Sequence, residues 1–314
     1  MRKPFTPSVV PDGGLFISCS SHEERCLALV RRWGDWKPNH ALLFHYDDDN
    51  PRREANHREL RAQCAARCPV TELMFHEKDA VASFRENGNA IKDLLTQFSG
   101  TRVIFDMTVF TKRHLLMMLN WLDDFRCWAK LFIVYSEPED YEVSTYLPLS
   151  FGISGFEQIP GFAGTPDSSR PLHLLIILGY EGERALATYE QVQPIKTTLV
   201  IPNPPFRPEW AGRTEGFNKN LITRLGGQSV LEADAVDPNS IREVLRQVFG
   251  IESNRSDHAK VVCPLGTKPQ ALGVYLYTKD AVDPPAIIYA GPLRHNHGFY
   301  SHGIGRTWML VEPQ

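Results

Sequence analysis

The feature that most constrains this chain is an alternation of short apolar runs with helix-patterned stretches, and the alternation runs through twice. In the first half, residues 15–19, 41–46, 71–75, 102–105 and 130–135 read as strands. Between them, residues 23–33, 52–68, 80–98 and 112–125 carry helical spacing. The pattern restarts with strands at 172–178, 197–201, 260–263 and 286–289 and helices at 183–192, 210–225, 238–249 and 268–278. Strands that alternate with helices lie parallel, because each helix carries the chain back to the edge where the next strand begins.

The expected fold class is therefore α/β: two tandem Rossmann-like parallel-sheet domains related by internal duplication. Residues 1–160 form the divergent copy, the Pro/Gly/Ser-rich residues 161–171 a linker, and residues 172–314 the second domain. A length of 314 residues suits two domains of roughly 150. The duplication rests on matched anchors. Glu24-Arg25 answers to Glu183-Arg184, each after the first strand of its half. Thr111-Lys112 answers to Thr267-Lys268, each opening a helix, and Tyr135-x-x-Pro138 to Tyr289-x-x-Pro292. Gly152-Ile153 and Gly303-Ile304 each precede a sixth, returning strand. Arg25 and Thr111 are 86 residues apart, Arg184 and Thr267 83.

Composition excludes several function classes. With 34 Lys+Arg against 37 Asp+Glu, no global basic field exists, so bulk nucleic-acid binding is not expected. No apolar signal core follows Met1, and the longest apolar runs fall far short of the roughly 20 residues a membrane span needs. The expectation is a cytoplasmic protein with no membrane role. Six scattered cysteines contain no Cys-x-x-Cys, so buried thiols are expected rather than a metal. His295, His297 and His302 are read as lining the mouth of the pocket after the fifth strand, and the Leu115–Leu119 stretch as core. No metal and no cofactor are expected.

In open parallel sheets, ligands gather at the carboxyl ends of the strands. The first-strand turns are Ser18-Cys19-Ser20-Ser21-His22-Glu23-Glu24-Arg25 and Gly179-Tyr180-Glu181-Gly182-Glu183-Arg184. Neither is G-x-G-x-x-G. Ser20, Ser21 and Gly179 can offer amides to a phosphate, or the serines can cap a helix. Arg25 and Arg184 can hold an anion or pair with neighbouring carboxylates. Cys263-Pro264-Leu265-Gly266-Thr267-Lys268-Pro269 follows an apolar strand and opens a helix, so Gly266, Thr267 and Lys268 can converge on an anion.

This strand-Gly-Thr-Lys-Pro-x-Ala-helix sequence resembles the ligand loop of CARF domains, the CRISPR-associated Rossmann fold that senses cyclic oligoadenylates. Leu265 stands where the family loop usually has its first glycine. The resemblance covers that loop and the alternating layout of residues 172–314, with the first half as a fainter echo. It implies a bound nucleotide-type small molecule, such as a cyclic oligonucleotide, with Thr267 and Lys268 on its phosphates. Gly179, Tyr180 and Arg184 would form the other wall. It also implies a role in bacterial antiviral defence and, since no effector domain fits in this length, a protein effector partner. CARF domains commonly pair so that a ring ligand spans the seam, and Thr111 and Lys112 would contribute the second loop.

Two other function classes follow from the residues. A hydrolase cleaving a phosphodiester or N-glycosidic bond would use strand-end carboxylates, with Glu24, Asp47 and Asp106 as candidates. A non-catalytic scaffold with decayed pockets fits the first-half loop, which keeps Thr-Lys and lacks the glycine. Ser20 shows no base in the sequence and no G-x-S-x-G elbow, so serine catalysis is not expected.

Overall fold

The computed structural model describes residues 3–6, 12–141, 150–165, 167, 169–227, 230–250, 257–295 and 301–311. It divides into two compact units, one of residues 1–142 and 298–314, the other of 143–297.

In the first unit the elements run β1 (Lys3–Pro4), β2 (Leu15–Ser20), α1 (Ala28–Arg32), β3 (His40–Tyr46), α2 (Pro51–Ala65), β4 (Val70–Phe75) and α3 (Ala80–Gln97). They continue with β5 (Val103–Asp106), α4 (Lys112–Asp124), β6 (Leu131–Ser136) and β7 (Asp140–Tyr141). The second unit holds β8 (Ser150–Ala163), β9 (Leu172–Ile177), α5 (Gly182–Val192), β10 (Lys196–Pro202), α6 (Arg213–Arg224) and β11 (Val230–Ala233). Then come α7 (Pro238–Phe249), β12 (Ala259–Pro264), α8 (Lys268–Asp280) and β13 (Ala286–His295). The chain closes in the first unit with β14 (Ser301–His302) and β15 (Thr307–Val311).

Apart from β1, which pairs antiparallel with β15 at the edge of the first, the two sheets have one topology. The first is ordered β1-β15-β6-β5-β2-β3-β4 and the second β8-β13-β12-β9-β10-β11. In each, five strands are parallel and the sixth, β15 or β8, is antiparallel. The expected fold class is thus the observed one. The central strands bury every residue of β2 and all but the first of β9, as uninterrupted apolar runs covered on both faces should. Helix starts follow capping chemistry. Asn50 precedes Pro51, Asp237 precedes Pro238, and each cap side chain accepts a first-turn amide. The Leu/Met stripe of α4 is core, with Leu115, Leu116, Met118 and Leu119 fully buried.

The domain boundaries expected from composition need correcting. Residues 161–163 are the end of β8, not a linker, and β15 belongs to the first unit although it ends the chain. Each sixth strand is therefore built from the other half of the sequence. Pro160 and Gly161 look like breakers, yet β8 is an edge strand, where a missing N–H is tolerated. Gly164 lies at φ +66° and a Cβ there would come within 2.5 Å of the Ala286 amide, next to a break in the β8–β13 register. Val230–Ala233 went unread as a strand because it is short and buries only Ala233.

The pairing registers coincide between the units. Thr307 opposes Ser136 and Trp308 opposes Tyr135, while Phe156 opposes Ala290 and Glu157 opposes Tyr289. Gly303 (φ +67°) and Gly152 (φ +61°) lie just after the entries to these segments, both in the left-handed region. A Cβ on Gly303 would strike Glu139, and one on Gly152 would crowd Leu293, its positional equivalent.

Candidate functional site

At the carboxyl end of β9, the first-strand turn and the Thr-Lys loop of the second unit meet backbone to backbone. A Cβ on Gly179 would lie 2.5 Å from the Leu265 carbonyl oxygen. One on Gly266 would lie 2.6 Å from the Ile177 side chain and 2.3 Å from Gln270 Oε1. Only glycine fits at either position, and the fit places Gly179, Tyr180, Gly266, Thr267 and Lys268 around one strand end. Leu265 itself is buried.

Thr267 is committed to the helix. Its hydroxyl donates to the Ala235 carbonyl (2.6 Å) and accepts from the Gln270 amide (3.2 Å), while its own amide donates to Gln270 Oε1 (3.0 Å). That is a capping box, so in this structure Thr267 holds α8. Lys268 is half-buried at the first position of α8. In the first unit Thr111 also caps its helix, and its hydroxyl lies 2.6 Å from His114 Nδ1. Its amide donates to the Tyr46 hydroxyl (2.9 Å). Lys112 is half-buried like Lys268.

Arg25 and Arg184 are both buried and both face the fifth strand of their sheet. Arg25 donates to Glu23 through Nε (2.9 Å) and lies 2.8 Å from it through Nη2; Nη1 donates to the Tyr135 hydroxyl (3.0 Å) and the Ser136 carbonyl (3.1 Å). Ser301 donates to the same Glu23 carboxylate. Arg184 donates through Nε to the Ala290 carbonyl (2.8 Å), lies 5.1 Å from the Tyr289 ring centroid and reaches Glu181 at 3.5 Å. Ser150 donates to Glu181 (3.2 Å). The same Ser–Glu–Arg–Tyr–carbonyl chain thus occurs in both units, and of the two readings open for these arginines, pairing with carboxylates is the observed one. The units differ in completeness: Arg184 Nη2 is buried without a hydrogen-bond partner.

The remaining first-turn residues are embedded. Ser20 is fully buried; its hydroxyl donates to the Phe44 carbonyl (3.4 Å) and lies 3.0 Å from His57 Nδ1. His57 Nε2 lies 2.9 Å from Glu72. A base therefore does stand beside Ser20, which the sequence did not disclose, while the fully buried hydroxyl is already spent on the Phe44 carbonyl. Ser21 Oγ accepts from the Glu23 amide (3.2 Å), and the Ser21 carbonyl accepts from Asn56 Nδ2 (2.9 Å).

The three carboxylate candidates fall into separate networks. Glu24 is exposed and pairs with Arg31 (2.5 Å). Asp47 accepts from the Glu77 amide (2.9 Å) and lies 2.8 Å from His76; these contacts hold its carboxyl below the usual range against the opposing effect of burial. Asp106 is buried, and burial pushes it up to about 6 despite bonds from the Thr108 amide (3.1 Å), the Thr108 hydroxyl and Ser18 (3.5 Å). Asp47 lines a cleft of about 550 Å³ with Asp48, Asp49, His76, Lys78 and Asp79, a mostly acidic surface.

Among the described residues no group of three or more His, Cys, Asp or Glu side chains could hold a metal ion. His297 and the side chain of His295 lie outside the described residues, and His302 is exposed. All six cysteines are free. No helix among the described residues is long and apolar enough to cross a membrane.

Sequence reasoning missed Asn218 of α6, which bonds the Gly179 turn, and Arg213 at the start of the same helix, whose charge is felt at Tyr180. Asn218 Nδ2 donates to the Gly179 carbonyl (2.8 Å). It also missed Ser150 and Ser301, although Ser150-x-Gly152-Ile153 and Ser301-x-Gly303-Ile304 extend an anchor already noticed.

Fold and strand-end geometry define a tandem Rossmann-like α/β protein whose sixth strands are exchanged along the chain. No protein-family model matches it, and no curated protein matches it in sequence. Among solved structures it is similar to a Type III CRISPR defence DNA nuclease activated by cyclic oligoadenylate. The identity is 13% and the TM-score 0.51, over 89% of this chain and 65% of that one, so the chain spans less than two thirds of that protein's length. The likeness is one of fold. The cytoplasmic domain of a prokaryotic cation chloride cotransporter matches at 8% identity over 91% of this chain and 99% of that one, with a TM-score of 0.24, below the level of a shared fold.

Proposed function

We propose that this chain is a cytoplasmic nucleotide sensor of antiviral defence, built from one duplicated unit, which binds a ligand of the cyclic oligoadenylate class and signals to a separate effector protein. The observation that supports the reading is the close meeting of the Gly179 turn with the Leu265–Gly266 backbone, two residues before Lys268. A cation at a helix start, next to a tight strand-end turn at the carboxyl edge of a parallel sheet, suits a phosphate-bearing ligand. The solved nuclease of similar fold is activated by cyclic oligoadenylate, and the Gly266-Thr267-Lys268 loop resembles the CARF ligand loop. Glu24, Asp47 and Asp106 share no partner, so hydrolysis draws no support from them.

The test is titration calorimetry of the full chain with cyclic tetra-adenylate, followed by chromatography of the recovered ligand. The expected result is saturable binding without product, lost in Lys268→Ala. Equal binding by Lys268→Ala would remove the loop from the site, and no binding by the parent protein would remove the reading.

A further inference from the structure

We propose that Asn218 and Arg213, at the start of α6, read the ligand in the second unit: Arg213 holds an anionic oxygen, and Asn218 Oδ1 accepts a hydrogen bond from an N–H or O–H of the ligand. The inference rests on the nucleotide reading above and adds the residues that give it specificity.

Asn218 is 2% exposed, and its carboxamide is fixed by two donated bonds, to the Gly179 carbonyl (2.8 Å) and the Thr214 carbonyl (2.7 Å). Those bonds determine which end of the amide is nitrogen. The oxygen is left one carboxamide width from the Gly179 turn, buried and without a partner. Arg213 Nη1 is likewise buried without a partner, and its guanidinium stands 5.8 Å from the Trp210 ring centroid. Buried polar atoms are nearly always satisfied, so an unpaired acceptor and an unpaired donor near one turn point to a group that binds there.

The surroundings suit a ligand. Gly212, the cap of α6, lies at φ +77° and offers no side chain to the first-turn amides. The Tyr180 and Phe217 rings lie 5.9 Å apart beside the turn. Burial pushes the Tyr180 hydroxyl up to about 12, with Arg213 near enough to oppose the shift. Beside the turn, α5 and α6 cross at backbone contact, where a Cβ on Gly182 would lie 1.9 Å from the Phe217 carbonyl.

The first unit carries a related arrangement in which the arginine is already paired. Asn56 of α2 donates to the Ser21 carbonyl (2.9 Å), as Asn218 does to Gly179. Arg53, in the first turn of α2, is held by the Asp48 side chain and carbonyl. The first unit supplies its own anion where the second leaves Arg213 open.

The experiment compares three probes by calorimetry on the intact chain: cyclic tetra-adenylate, its inosine analogue lacking the exocyclic amine, and its 2′-deoxy analogue. Deleting the donor that Asn218 reads should weaken binding about tenfold or more for one analogue. Asn218→Leu should bind the parent ligand and that analogue equally. Because Asn218 also ties α6 to the turn, Arg213→Gln, on a partly exposed side chain, is the companion. It should bind at least tenfold more weakly with a shallower salt dependence, and Arg213→Lys should restore part of both. If both analogues bind like the parent and Arg213→Gln loses nothing, while Lys268→Ala still abolishes binding, the inference is overturned and the nucleotide reading stands. If cyclic tetra-adenylate does not bind the unaltered chain, both fall together.

Discussion

Arg25 and Arg184 occupy the same place in two sheets of one topology, and a carboxylate, a tyrosine and a strand-end carbonyl surround each. Glu23 meets Arg25 through two nitrogens, whereas Glu181 stands 3.5 Å from Arg184 and leaves Nη2 unpaired. The serine of each chain, Ser301 or Ser150, begins the segment supplied by the other half of the sequence. The network is therefore a fastening for an exchanged strand. The first unit closes it fully, and the second leaves it loose beside the turn where we place the ligand. A repeated scaffold with one tight and one loose copy is what the proposed division of stability and recognition between the two units requires.

The largest effect should come from cutting the tight fastening. Glu23→Gln leaves the buried Arg25 charge without its carboxylate and should cost about 3 kcal/mol, read by urea unfolding. Glu181→Gln should cost about 1 kcal/mol, because its longer contact is worth less and Arg184 is already incompletely paired. Equal losses would break the comparison. In hydrogen exchange, the Glu23→Gln loss should appear first in β6 and β15.

Acid should separate the halves by a smaller margin. Burial lowers His114 to about 3 and His173 to about 4, from an ordinary 6.5. A histidine kept neutral by the fold contributes stability in full above pH 6.5, and that stability is lost as pH falls, because the unfolded chain takes up the proton first. The loss should run from pH 6.5 towards 3 in the first unit and towards 4 in the second. Asp106 works the other way, since its raised carboxyl favours the folded state when protonated, an advantage lost as pH rises from about 4 through about 6. Asp106→Asn should remove that opposing slope and add on the order of 1 kcal/mol at pH 7. The second unit has Pro264 at the matching strand end and nothing there to titrate. Exchange rates for each unit, measured from pH 4 to 7, check the order.

Much of this was legible in the residues. Continuous apolar runs such as 15–19 and 172–178 announced parallel strands, and the Arg, Thr-Lys, Tyr-x-x-Pro and Gly-Ile anchors fall on equivalent places in both units. Strand exchange was not legible, because an antiparallel sixth strand is satisfied by any partner of the right register, and periodicity does not record which sheet supplies it. The linker was misplaced for a related reason: Gly and Pro punctuate a central strand but are admitted on an edge such as β8. At the site, the resemblance drew attention to Thr267, a residue whose hydroxyl and amide are spent on the helix cap. Asn218 carried no motif at all. Its significance lies in an unpaired oxygen, a property of packing and not of sequence.

The two Thr-Lys loops allow a finer test. Thr267→Ala removes one cap and should cost about 1 kcal/mol. Thr111→Ala removes a cap and also strands the Nδ1 of the buried His114, so its cost should be larger, about 2 kcal/mol. Thr267→Ser keeps the hydroxyl and should restore stability. If Thr267→Ala lowers affinity for cyclic tetra-adenylate by more than its stability loss explains, and Thr267→Ser restores both, Thr267 leaves its cap to hold the ligand. If affinity follows stability alone, the threonine only positions Lys268.

The smallest expected change is a gain. Gly216 lies inside α6 with no atom within 4 Å of where its Cβ would stand, and its backbone is an ordinary helical one. Gly216→Ala should stabilise the helix by about 0.5–1 kcal/mol by restricting the unfolded chain. Because α6 carries Arg213 and Asn218, the same substitution reports on recognition. A helix that only supports the fold should gain melting temperature with unchanged affinity for cyclic tetra-adenylate. A helix that must shift to let ligand reach Asn218 should gain stability and bind more weakly. The second outcome would tie the looseness of the second unit to its function, and the first would make that looseness incidental.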